Sequence, residues 1–169
     1  CGLPYYVGGS IEDKSELIVN TPEKFQGLTQ VEVRTLREAV AVDPQAQKVT
    51  AKNLETGETE VYEYDELVIA VGASAVLPPL EGTNLFGVFR MRTPDDAISM
   101  RDYLEAQGVK RAVVVGGGFI GLELTENLLD RGIAVTVVEA ENQLMPGVLD
   151  SEMSAFVKRK LQERGARVL

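Results

Sequence analysis

The chain has 169 residues, 44% of them hydrophobic, and a formal net charge of −9. That balance supports a packed core and disfavours a protein that works by neutralising nucleic-acid phosphates. One cysteine and no histidine exclude an internal disulfide, a multi-cysteine zinc site and any Ser-His-Asp or Cys-His site made by this chain alone.

Cys1-Gly2-Leu3-Pro4 opens a helical or loop-like start that Gly8-Gly9 ends. Thr21-Pro22-Glu23 reads as a capped helix start. Residues 31–35 (VEVRT) alternate as a strand, and 39–42 form a second short one. Residues 48–54 and 58–64 flank Gly57 as a hairpin. The run LVIAV at 67–71 reads as a strand buried on both faces, ending at Gly72, and Pro78-Pro79 with Gly82 marks an irregular crossover. Thr93-Pro94-Asp95-Asp96 starts a helix that runs to about Ala106 and stops at Gly108.

A strand at 111–115 then meets Gly116-Gly117-Gly118-Phe119-Ile120-Gly121, and a helix follows to about Asp130, stopped by Gly132. A second apolar strand covers 133–138 and closes at Glu139, 18 residues beyond Gly121. A last helix begins at Ser151 and ends near Gly165, and Arg167-Val168-Leu169 opens a third strand. No apolar run approaches the roughly 20 residues of a membrane span, and the start carries no basic signal-peptide region. Beginning at Cys and stopping inside a strand, the chain reads as a piece of a longer protein.

Strand, glycine turn, helix and a closing acid are the parts of a dinucleotide site. Gly116 makes the tight turn, Gly118 admits the pyrophosphate, and Gly121 lets helix pack closely on strand. The helix N-terminus favours the phosphates. Glu139 suits ribose hydroxyls and repels a 2′-phosphate. Residues 140–147 hold no Lys or Arg to offset that, so NADH is preferred over NADPH. The competing reading is a structural glycine turn, with Glu139 a solvated strand end.

Together these segments resemble the FAD-dependent pyridine nucleotide–disulfide oxidoreductases. The likeness is to their single-cysteine branch, which holds coenzyme A-disulfide reductases, NADH-dependent persulfide or polysulfide reductases, NADH oxidases and NADH peroxidases. Cys1-Gly2-Leu3-Pro4-Tyr5-Tyr6-Val7-Gly8-Gly9 is similar to that branch's redox segment. The run 67–73, followed by Pro78-Pro79-Leu80-Glu81-Gly82, resembles its flavin-flanking strand and loop, and 116–123 matches its NAD fingerprint.

The resemblance implies an α/β fold in which a Rossmann-like NAD domain is inserted in an FAD domain of the three-layer β/β/α type, truncated here at both ends. Residues 1–90 would be part of the FAD domain, 91–106 a linker helix and 107–169 an incomplete NAD domain. It implies Cys1 as the redox thiol. Gly116, Gly117, Gly118, Phe119, Ile120, Gly121, Glu123 and Glu139 would serve NAD, and Val40, Ala70, Val71, Gly72 and Ala73 would serve FAD. Phe119 stands where relatives often carry a tyrosine gating the nicotinamide pocket. Glu123 matches a glutamate near flavin and nicotinamide, although its usual lysine partner is not identifiable, and a helix-surface role stays open.

The implied activity passes electrons from NADH through FAD and Cys1 to a small-molecule disulfide or persulfide, in a cytoplasmic homodimer with no nucleic-acid, membrane or metal partner. Residues 26–29, where coenzyme A-disulfide reductases can carry a lysine, have no positive charge, which leaves a smaller persulfide substrate open. The alternatives are an oxidase or peroxidase working through a cysteine sulfenic acid, and a non-catalytic NAD-sensing module.

Overall fold

The computed structural model describes residues 2–169. In chain order the elements are α1 (Leu3–Gly8), a 3-10 turn (Lys14–Leu17), α2 (Pro22–Thr29), β1 (Arg37–Asp43), β2 (Lys48–Asn53), β3 (Thr59–Glu63), α3 (Pro94–Gln107), β4 (Arg111–Val115), α4 (Phe119–Asp130), β5 (Ala134–Val138), α5 (Ser151–Glu163) and β6 (Arg167–Val168). They fall into two compact units, residues 19–73 and residues 2–18 with 74–169.

The unit of residues 19–73 is built on an antiparallel meander, β1-β2-β3. Asn53 sets its turn: its side-chain Oδ1 accepts from the amides of Glu55 and Thr56, and Gly57 takes a φ of 79°. Thr21 caps α2 through the amide of Lys24.

Two expected strands do not form. Residues 31–35 alternate correctly, but no described strand pairs with them, and Leu36 adopts a left-handed φ of 54° that turns the chain before β1. Residues 67–71 also lack a ladder partner, and Val68 and Val71 are exposed. An apolar run becomes a strand only when neighbours satisfy its backbone and cover its faces.

The other unit holds a parallel sheet in the order β4-β5-β6. The parallel register pairs Arg111 with Ala134 and Val115 with Val138, which puts the ends of β4 and β5 side by side. Alternate residues Val135 and Val137 point into the core, and Val137 is fully buried. Complete burial of a valine contributes on the order of 1.5–3 kcal/mol. Leu124 and Leu128 of α4 complete this core with Met100 and Leu104 of α3 and Tyr6 and Val7 of α1.

Ala97, Met100 and Leu104 seat α3 in this core. It begins with a full capping box: the Thr93 hydroxyl accepts from the Asp96 amide, and the Asp96 carboxylate accepts from the Thr93 amide. It ends at Gly108, φ 55°. Arg101 and Arg131 tie α1 down by donating to the carbonyls of Tyr6 and Val7, respectively, and both pair with Glu105.

Candidate dinucleotide-binding site

The glycine turn continues β4 before it leaves the sheet. The Gly116 amide donates to the Val138 carbonyl at 2.9 Å, extending the β4–β5 ladder by one bond. Gly116 then takes φ 108°, a conformation that side chains on L-residues rarely tolerate. Gly118 is the N-cap of α4, and among the described residues no side chain caps that helix. Its first-turn amides are left for an external acceptor, at the end of the macrodipole that carries roughly half a positive charge.

Space around the glycines differs from one to the next. A Cβ on Gly121 would collide with the carbonyl oxygen of Gly116, so the close seating of α4 on the turn needs glycine there. A Cβ on Gly118 would meet nothing within 4 Å, and its extended backbone (φ −83°, ψ −176°) suits any residue. The empty volume in front of Gly118 is where a side chain would obstruct a ligand. Buried Thr125 donates its hydroxyl to the Gly121 carbonyl at 2.7 Å, which satisfies the side chain inside the core.

Glu139 leaves the end of β5 and reaches back to the turn. One carboxylate oxygen accepts from the Gly117 amide at 2.6 Å, the other from the Glu141 amide at 3.0 Å. The Glu141 amide first, then that of Gly117, hold this carboxyl below the ordinary carboxylate range, outweighing the opposing effect of burial. An ionised carboxylate with both oxygens fixed keeps further lone pairs for hydroxyl donors.

The structure therefore brings Gly116, Gly117, Gly118, Gly121 and Glu139 to one place. Phe119 and Ile120 follow at the start of α4, both well exposed. Glu123 lies one turn further along; its backbone carbonyl accepts from Asn127, and the residue is half-buried. Uncapped amides, a turn no Cβ obstructs and a fixed carboxylate fit a dinucleotide pyrophosphate and its adenosine ribose.

Other predicted site residues lie apart from this turn in sequence. Cys1 lies outside the described residues. Val40 sits at a register break in β1 between Ala39 and Ala41, a bulge of the kind that re-aims side chains. Ala70, Val71, Gly72 and Ala73 lie in an exposed irregular segment. These residues alone do not enclose a flavin.

Sequence reasoning missed Leu144, Met145 and Ser154. The Met145 amide donates to the Gly117 carbonyl at 3.0 Å, and a Cβ on Gly117 would collide with the side chain of Leu144. The stretch LMPG at 144–147 reads as a plain loop, so no periodic or motif signal marks it.

A family model described as pyridine nucleotide-disulphide oxidoreductase matches residues 1–169. The NADH oxidase of Methanocaldococcus jannaschii is 36% identical over 169 residues, which is 100% of this chain and 38% of that protein. The coenzyme A disulfide reductase of Staphylococcus aureus (strain JH9) is 32% identical over 164 residues, 97% of this chain and 36% of that one. The solved structure of an NAD-dependent persulfide reductase from A. fulgidus superimposes with a TM-score of 0.91 at 35% identity, covering 100% of this chain and 32% of the other. The chain spans little more than a third of the length of the curated relatives it matches.

Proposed function

Because the chain belongs to the pyridine nucleotide-disulphide oxidoreductases, we propose that it is part of a flavoenzyme that carries electrons from NADH to a disulfide or persulfide. The single observation that carries this reading is the uncapped glycine turn with the Glu139 carboxylate fixed beside it. The likeness to a coenzyme A disulfide reductase and a persulfide reductase supports the class of acceptor.

In this reading the amides of residues 118–121 bind the pyrophosphate, and Glu139 accepts from the adenosine ribose. Phe119 stands at the nicotinamide pocket, Ile120 contributes to NAD binding, and Glu123 lies near flavin and nicotinamide. NADH and FAD, when bound, supply the electron pair that returns the redox sulfur to its thiolate. Cys1, as thiolate, attacks one sulfur of the substrate disulfide; a mixed disulfide forms, and the second sulfur leaves as thiolate. Val40 and residues 70–73 contribute backbone to the flavin side. Residues 1–90 belong to the FAD domain, 91–106 to a linker helix and 107–169 to the NAD domain. The proposal includes a homodimer acting on a small molecule in the cytoplasm; no helix among the described residues is long and apolar enough to cross a membrane.

The test is Cys1→Ser in the complete flavoenzyme. Bleaching of the flavin by NADH persists and disulfide reduction is lost; disulfide turnover that survives the substitution refutes the assigned thiol. The NADH oxidase relative favours oxygen as a second acceptor. Comparing NADH consumption with oxygen, peroxide and coenzyme A disulfide decides between the two.

A further inference from the structure

Three successive glycines, residues 116–118, make an intrinsically loose turn. Glycine loses more backbone freedom on ordering than any other residue. A site that orders such a turn only when ligand arrives loses that free energy from its affinity. In this structure the middle glycine is already held from three sides. Glu139 takes its amide at 2.6 Å, the Met145 amide donates to its carbonyl at 3.0 Å, and the Leu144 side chain fills the space where a Cβ would project.

The hold from the β5–α5 loop depends on the placement of residues 144–145. Leu144 and Met145 are buried, and Met145 takes a left-handed φ of 53°, a conformation an unbranched residue keeps only when its surroundings impose it. Ser154, on the first turn of α5, reaches this segment. Its hydroxyl is buried and donates to the Leu144 carbonyl at 2.9 Å. The rest of the loop closes on itself without Ser154, through the Val148 and Leu149 amides to the Met145 carbonyl and the Gln143 side chain to the Leu149 carbonyl.

We infer that Ser154 is a positioning residue of the nucleotide site, acting through Leu144 and Met145 to hold Gly117 in its ligand-ready conformation. The inference rests on the reading of the glycine turn as an NADH site. Removing the hydroxyl leaves the buried Leu144 carbonyl without its donor, and residues 144–145 then lose their hold on Gly117.

Calorimetric titration with NADH, alongside steady-state kinetics of the flavin-loaded enzyme, tests it. Ser154→Ala weakens NADH binding about three- to tenfold and raises KM for NADH by the same factor, with kcat at saturating NADH unchanged. Ser154→Thr keeps the donor and restores parental affinity. Leu144→Ala keeps the Ser154 bond but empties the space against Gly117, and it weakens NADH binding in the same direction. Ser154→Ala and Leu144→Ala proteins that unfold more easily yet bind NADH as the parent does would reduce Ser154 to a packing role and overturn the inference. Failure of Ser154→Thr to restore affinity overturns it as well. A parent protein that takes up no NADH refutes instead the reading of the turn, and that is seen before any substitution is made.

Discussion

The Glu139 carboxylate accepts backbone amides on both of its oxygens. Its folded pKa lies below its unfolded value. Its contribution to stability is therefore fully present above the unfolded value and is lost as pH falls through the lower folded value. An NMR titration of this carboxyl shows an inflection below that of an unfolded-chain glutamate; one at or above the ordinary value contradicts the geometry. In the proposed reading the same fixed charge sets the coenzyme preference. Glu139→Gln weakens NADH binding about ten- to hundredfold, the range for hydrogen bonds to a charged group, and narrows the preference over NADPH. Parallel titrations with both coenzymes measure this, and an unaltered NADH-to-NADPH ratio removes Glu139 from that role.

At the scale of elements, helices with sequence-local signals were legible and elements completed by distant partners were not. Thr93 and Asp96 announce α3 within four residues, and the structure contains the reciprocal cap. Thr93→Ala removes the hydroxyl acceptor and lowers stability by about 1 kcal/mol; urea denaturation reads it as a lower midpoint at constant slope, and an unmoved midpoint denies the cap its energy. The βαβ unit was equally legible, because glycines, apolar runs and the closing acid all lie within one stretch of chain. Residues 31–35 and 67–71 carry strand patterns, yet a strand also needs a neighbour, and none of the described residues provides one. The site divides in the same way. Gly116, Gly118, Gly121 and Glu139 follow a spacing rule. Leu144, Met145 and Ser154 reach Gly117 only through the fold of the β5–α5 loop, which no periodicity encodes.

At the scale of the molecule, the parallel unit assembles the glycine turn from two adjacent strand ends and one helix N-terminus. Its core of α1, α3, α4 and the sheet keeps α4 seated while the front of the turn stays open. The chain matches only part of each longer relative; in the proposed reading, turnover is a property of the longer flavoenzyme and nucleotide capture a property of this unit. Gly118→Val isolates that capture: its backbone angles accept a branched residue, and the added side chain projects into space that is empty in this structure. Calorimetry with NADH on the parent and on Gly118→Val is the most direct measurement. The parent takes up NADH, and an equally well folded Gly118→Val takes up none. Parental binding by Gly118→Val, or no binding by the parent, would contradict the reading of the turn as an NADH site.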